Sequence, residues 1–300
     1  MKTLRRLALL ADLVAFAVVA LGSWTRINAA GLTCPDWPTC HGRLVPSLGG
    51  GTLWEWTHRL LALALAPLIA AVVVKAWRER ANGPFLVPAA LVVALLFILQ
   101  VGLGAATVDL DNTPVSVVLH WGTAMALIAS ILALAIFAGA QRSRGAGADR
   151  AALPTAALVA TVGASFVTMC IGAYVSSSGA GLACLSIPGC AGNVVVYTSS
   201  QIVQMLHRAA AAGTLLCATM AFALVWTGRL GERVRLWTGI GLTLVFIQVI
   251  LGLLNVALRL PTDLREVHAA NAALVFLAFV TATAFALLDA PARSAAGQPR

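Results

Sequence analysis

Eight stretches of roughly 20 consecutive apolar residues run through the 300-residue chain, near residues 7–25, 54–74, 85–107, 117–139, 153–175, 202–226, 236–258 and 267–288. Each is long enough to cross the hydrocarbon core of a bilayer as a helix. Composition removes the other way of accommodating them. With 60% of residues apolar, 10% charged and a mean hydropathy of +0.91, the chain lacks the charge to cover a water-facing surface. A soluble enzyme, a disordered scaffold and a small disulfide-stapled secreted module are all excluded. The expected fold class is an all-α integral membrane protein with eight transmembrane helices.

The formal charge is +9, and its distribution explains it. Lys2, Arg5, Arg6, Lys75, Arg78, Arg80, Arg142, Arg144, Arg150, Arg229, Arg233, Arg235, Arg293 and Arg300 fall on one side of the spans. Arg26, Arg43, Arg59, Arg208, Arg259 and Arg265 fall on the other. The positive-inside rule then puts both termini in the cytoplasm and the two long loops outside. The basic excess is topological, and no nucleic-acid partner is expected. The first span, preceded by Lys2, Arg5 and Arg6, has the layout of a signal peptide, but the internal repeat argues that it is retained. Asp12 in that span is an intramembrane carboxylate close enough to the basic end to pair with Arg5 or Arg6.

The segment 22–42, from Gly22, aligns without gaps on 172–192, from Gly172. It carries Cys34 onto Cys184 and Cys40 onto Cys190. With slips of one or two residues the match continues: His58-Arg59 onto His207-Arg208, Gln100 onto Gln248, Gly104 onto Gly252 and His120 onto His268. The chain reads as two copies of one four-helix unit, residues 1–145 and 146–300. An even number of spans per unit gives both copies the same direction through the membrane, with the symmetry axis along the membrane normal.

His58, His120, His207 and His268 are the repeat-matched histidines, each toward the outer end of an even-numbered span. The two in each half share a depth and can face one another across a four-helix core. Zinc takes three or four protein ligands and copper recruits sulfur or a third imidazole, whereas haem iron needs only axial ligands. Two imidazoles per half therefore describe a haem site. Gly102, Gly104 and Gly252 on the intervening helices leave room for a flat macrocycle. Arg59 and Arg208, next to a ligand in each copy, are candidates for a propionate contact or for an outer-interface anchor. His41, replaced by Ala191 in the second copy, reads as a solvated loop residue.

One difference separates the copies. Glu55 stands three residues before His58, on nearly the same helix face, and Gln204 stands three before His207. A carboxylate can abstract a proton or hold a cationic intermediate and an amide cannot; the alternative for Glu55 is an i, i+4 pair with Arg59. The pairs Cys34–Cys40 and Cys184–Cys190 lie in the outer loops, where each can close a compact disulfide, either as a staple or as a reducible pair. Cys170 and Cys217 lie within spans and read as small apolar fillers.

The joint pattern of eight spans in two halves, the Glu55-Trp56-Thr57-His58-Arg59 stretch, the three further histidines and the outer cysteine pairs resembles the haem A synthases, the CtaA/Cox15 family, of the bacterial type with two external cysteine pairs. The resemblance covers essentially the whole chain. It implies a haem b on His207 and His268, the haem O substrate on His58 and His120, and a catalytic role for Glu55. It implies oxidation of the methyl group at ring position 8 of haem O to the formyl group of haem A, an oxidoreductase reaction in the bacterial cell membrane that supplies terminal oxidases. Haem O synthase, the protohaem farnesyltransferase, is the implied neighbour, with the lipid bilayer as surroundings and a homo-oligomer left open. Two other classes compete. A dihaem b-type cytochrome for quinol electron transfer needs the same histidines, separated only by the Glu55/Gln204 difference and the family pattern. A parallel-repeat transporter needs mid-membrane polar residues, of which only Gln100, Gln248, Asn255 and Asn271 stand out.

Overall fold

The computed structural model describes residues 1–139, 148–190, 192 and 196–289. Arg142, Arg144, Arg293, Arg300 and Ala191, the side chain of Arg150 and the boundary at 145/146 lie outside the described residues. Eight helices carry the described chain: α1 (Lys2–Ile27), α2 (Gly51–Arg78), α3 (Leu86–Asp109), α4 (Pro114–Gly139), α5 (Ala148–Ser177), α6 (Ser199–Thr227), α7 (Glu232–Ala257) and α8 (Thr262–Asp289). All eight are apolar and long enough to cross a membrane. They overrun the expected spans at most ends, because a helix continues past the hydrocarbon to satisfy its backbone in the interface. Local signals set several starts. Thr198 closes a capping box with Gln201 at the head of α6, and Pro114 opens α4 at a position where a missing N–H costs nothing.

Neighbouring helices close two rings, α1–α2–α3–α4 and α5–α6–α7–α8, with α2 diagonal to α4 and α6 diagonal to α8. The rings meet along α4, α8, α1 and α5. Burial identifies the shared wall: 50% of the most apolar window of α4 and 61% of that of α8 lie inside the protein, against 17–22% in the other six helices. Small and branched side chains fill this wall, with Met125, Ile128 and Ile131 of α4 fully buried beside Ala273 and Phe276 of α8.

The repeat is visible in the turns as well. Asn112 and Leu260 hold equivalent left-handed positions, φ 52° and 61°, between the third and fourth helix of each ring. Asn112 Nδ2 donates to the Gly31 carbonyl at 3.1 Å, and Leu260 Cδ1 packs so closely on Gly181 that a Cβ there would stand 2.8 Å away. Gly31 and Gly181 are themselves repeat partners, so each outer loop is docked on the same turn of its own half.

Candidate functional site

His58 and His207 sit seven and eight residues inside α2 and α6, and His120 and His268 each sit six residues inside α4 and α8, about 9–12 Å down their helices. The members of each pair stand on diagonal helices, near enough that a charge on one ring acts on the other: His58 with His120, His207 with His268. A glycine from a flanking helix lies against every ring. A Cβ added at Gly22 would be 2.7 Å from His58 Cε1, at Gly172 2.9 Å from His207 Cε1, at Gly104 3.2 Å from His120 Cε1 and at Gly252 3.3 Å from His268 Cε1. Gly102, by contrast, faces open space.

Polar partners orient the rings. His58 Nδ1 donates to the Val18 carbonyl at 3.0 Å, whereas His207 Nδ1, in the second half, is buried without a hydrogen-bond partner. His120 Nε2 lies 3.2 Å from Gln100 Nε2 and His268 Nε2 lies 3.1 Å from Gln248 Nε2. In the second half Gln248 is itself held, since Asn271 donates to its Oε1 at 2.7 Å; in the first half Gln100 Oε1 is buried without a partner. Among the described residues every imidazole keeps at least one nitrogen outside any hydrogen bond: Nε2 of His58 and Nδ1 of His120, His207 and His268.

This donor set decides what the rings fit. Two imidazoles on diagonal helices of each half, each backed by a glycine, suit the two axial positions of a porphyrin-bound iron. Among the described residues no group of three or more His, Cys, Asp or Glu side chains is placed to hold a metal on protein ligands alone.

Beside the histidines, each half ties its disulfide loop to the helix turn that carries the first histidine. Cys34 and Cys40 are disulfide-bonded, as are Cys184 and Cys190. Buried Glu55 accepts from the Cys34 amide at 2.8 Å and the Thr33 hydroxyl at 2.9 Å through Oε2, and from Arg59 Nη2 at 2.6 Å through Oε1. Arg59 donates further to the carbonyls of Asp36 at 2.6 Å, Thr39 at 2.7 Å and Cys34 at 3.1 Å. Gln204, equally buried, accepts from the Cys184 amide at 2.5 Å and donates to the Gly181 carbonyl at 2.8 Å. Arg208 donates to the carbonyls of Cys184, Ser186 and Gly189 at 2.7–2.8 Å. Asp36, in the first loop, is held below the usual carboxylate range by hydrogen bonds from the Thr39 hydroxyl and the Gly42 and His41 amides.

The profile of the family described as COX15-CtaA, cytochrome oxidase assembly protein, matches residues 5–49 and 50–280. The chain belongs to this family. It is similar to proteins named heme A synthase from Shewanella oneidensis, 26% identical over 89% of this chain and 92% of the relative, and from Bacillus licheniformis, 27% identical over 89% and 91%. The heme A synthase of Shouchella clausii is 30% identical over 75% of this chain and 76% of its own length. With eight spanning helices and bacterial relatives, this COX15-CtaA member is a multi-pass bacterial membrane protein.

Several expectations change at the level of side chains. The guanidinium groups of Arg59 and Arg208 donate to loop carbonyls. The i, i+4 pair of Glu55 and Arg59 forms. Asp12 pairs with neither Arg5 nor Arg6: its Oδ1 is buried without a partner, while the Arg5 stem lies along Gly139. Gln100, Gln248 and Asn271, the polar residues that a transporter would use in mid-membrane, serve the histidines instead. His41 is exposed, as expected. Gly22 and Gly172 head the two aligned segments, which is the sequence signal for their place against the rings; the setting of Arg26 has no such signal.

Proposed function

We propose that this chain is a haem A synthase, which oxidises the ring-position-8 methyl group of haem O through an alcohol to the formyl group of haem A within the membrane. The observation that carries this reading is the pair of equivalent histidine sites, in which a buried carboxylate, Glu55, stands three residues before His58 where the second half has the amide Gln204 three before His207. In this reading residues 1–145 form the substrate half and residues 146–300 the haem b half, with both termini cytoplasmic and the disulfide loops outside. His58 and His120 hold haem O, which enters sideways from the bilayer with its farnesyl tail remaining in lipid. Val18 and Gln100 fix the two imidazoles, Gly22 and Gly104 keep space for the macrocycle, and the first disulfide loop shields the site from water. Glu55, immobilised by Thr33, Cys34 and Arg59, acts as the base or the held negative charge toward the reacting methyl group. His207 and His268 hold haem b, which when bound supplies a one-electron relay. In each two-electron oxidation the methyl carbon of the haem O held by His58 and His120 passes electrons to an acceptor and protons to Glu55, with water supplying the formyl oxygen. Haem O synthase is the expected donor of the substrate.

The test is haem extraction with a pyridine haemochrome spectrum of purified protein. Haem O or haem A together with haem b is expected, and haem b alone would favour the dihaem quinol-oxidising cytochrome. Glu55→Gln is expected to keep both haem sites and to lose haem A; a normal haem A yield would remove Glu55 from the chemistry.

A further inference from the structure

A polar cluster lies outside both histidine rings, where the two halves meet on the outer side. Arg26, at the end of α1, reaches across and donates from Nη2 to Ser176 Oγ of α5 at 3.1 Å. Ser176 is the repeat equivalent of Arg26, so the contact lies at the pseudo-twofold axis between the rings. Arg265 and Glu266 of α8 act electrostatically on Arg26, and Ser23 stands beside Glu266. Glu266 pairs with neither arginine: the ion pairs among the described residues are Glu55–Arg59 and two made by Glu79. Glu266 Oε2 and Ser23 Oγ are buried without hydrogen-bond partners.

Two arginines and one glutamate leave this cluster with an excess positive charge. A guanidinium offers five N–H donors, and Arg26 gives only one hydrogen bond to the described protein. A partly buried cation with unspent donors needs an anion. Arg59 and Arg208, the cations next to the ligands in sequence, have their donors in the disulfide loops. Arg26 stands one helical turn above Gly22, on the same face of α1, and Gly22 is the residue that lies against His58.

We propose that Arg26 binds a propionate carboxylate of the haem held by His58 and His120. The inference rests on reading the first ring as the haem O site. It gives the substrate half a cationic anchor that the second half lacks, because Ser176 occupies the equivalent position.

Protein purified from cells unable to make haem O, and so carrying haem b only, is titrated in detergent with haem O and with haem O dimethyl ester, whose propionates are uncharged. Wild type is expected to bind the ester about tenfold more weakly, the scale of one charge-assisted hydrogen bond. Arg26→Gln is expected to bind acid and ester alike, and Arg26→Lys to discriminate to an intermediate degree. Equal discrimination by wild type and Arg26→Gln overturns the assignment, as does a wild type that binds acid and ester equally. If Arg26→Gln loses the haem b band and has misassembled, Arg26→Lys carries the test, and undiminished discrimination there overturns it. A wild type that takes up no haem O removes the substrate reading and this assignment with it; uptake without an acid–ester difference removes the assignment alone.

Discussion

In both halves, the residue three positions before the first histidine of the pair accepts the amide of the first loop cysteine: Cys34 to Glu55 at 2.8 Å, Cys184 to Gln204 at 2.5 Å. Their remaining partners differ. The carboxylate takes the Arg59 guanidinium, while the amide turns its N–H toward the Gly181 carbonyl. Loop docking is therefore common to both halves and is achieved without a carboxylate in the second, where Arg208 donates to loop carbonyls alone. The negative charge of Glu55 is paired with Arg59, and the proposed role of that carboxylate in the first half is what the comparison puts to the test.

The most severe way to break this comparison is Glu55→Gln, which installs the second half's residue in the first. The loop contact survives, because an amide oxygen already accepts a cysteine amide at Gln204. Haem A formation is expected to fall by about 10²-fold or more with haem content unchanged, read by haem extraction; the reverse change, Gln204→Glu, is expected to add no activity. Next come the two arginines. Arg59→Ala strands a buried carboxylate and is expected to cost about 3–5 kcal/mol of stability, whereas Arg208→Ala releases only carbonyls and costs about 1–2 kcal/mol. Thermal denaturation measures both, and equal losses would show that the ion pair adds nothing to the clamp.

The glycines provide a graded test. Gly22→Ala and Gly172→Ala place a Cβ 2.7 and 2.9 Å from an imidazole carbon. Each is expected to cost about 1–3 kcal/mol by overpacking and to perturb the low-spin spectrum of its own half only. Gly104→Ala and Gly252→Ala, at 3.2 and 3.3 Å, are expected to do less, and Gly102→Ala, with open space, nothing. The smallest effect is one of pH. Asp36 titrates below its ordinary value of 3.8, so its contribution is complete above that value and is lost as pH falls through the depressed one. Ser186 occupies the equivalent place and accepts from the Gly192 amide at 2.8 Å without titrating. Hydrogen exchange at the His41 and Gly42 amides is expected to lose its protection only as pH falls below 3.8 and through the depressed value, with Gly192 unaffected.

The spans and the facing histidines were legible because hydropathy and repetition are properties of the chain read in order. A run of apolar residues needs no knowledge of its neighbours to become a spanning helix, and a duplicated His-Arg pair announces a duplicated site. What stayed hidden depended on three-dimensional competition among donors. Arg59 is adjacent to a ligand in sequence, yet four acceptors from residues 34–39 and from Glu55 reach it first. Asp12 lies six or seven residues from Arg6 and Arg5, about two helical turns, but Arg5 folds along Gly139. The setting of Arg26 is set by α5 and α8, far away in the chain, and nothing local signals it.

The sheltered wall of α4 and α8 has a consequence for how the molecule is put together. Severing the chain between α4 and α5 would expose that wall to lipid tails, which are as apolar as the side chains they replace, so neither fragment would be driven out of solution in the bilayer. Reunion would depend on shape, with Met125, Ile128 and Ile131 meshing with Ala273 and Phe276, and on the Arg26–Ser176 hydrogen bond across the seam. Fragments 1–145 and 146–300 made from separate messages will re-form a working pair when that surface is intact, and a bulky replacement at Ala273 will prevent it.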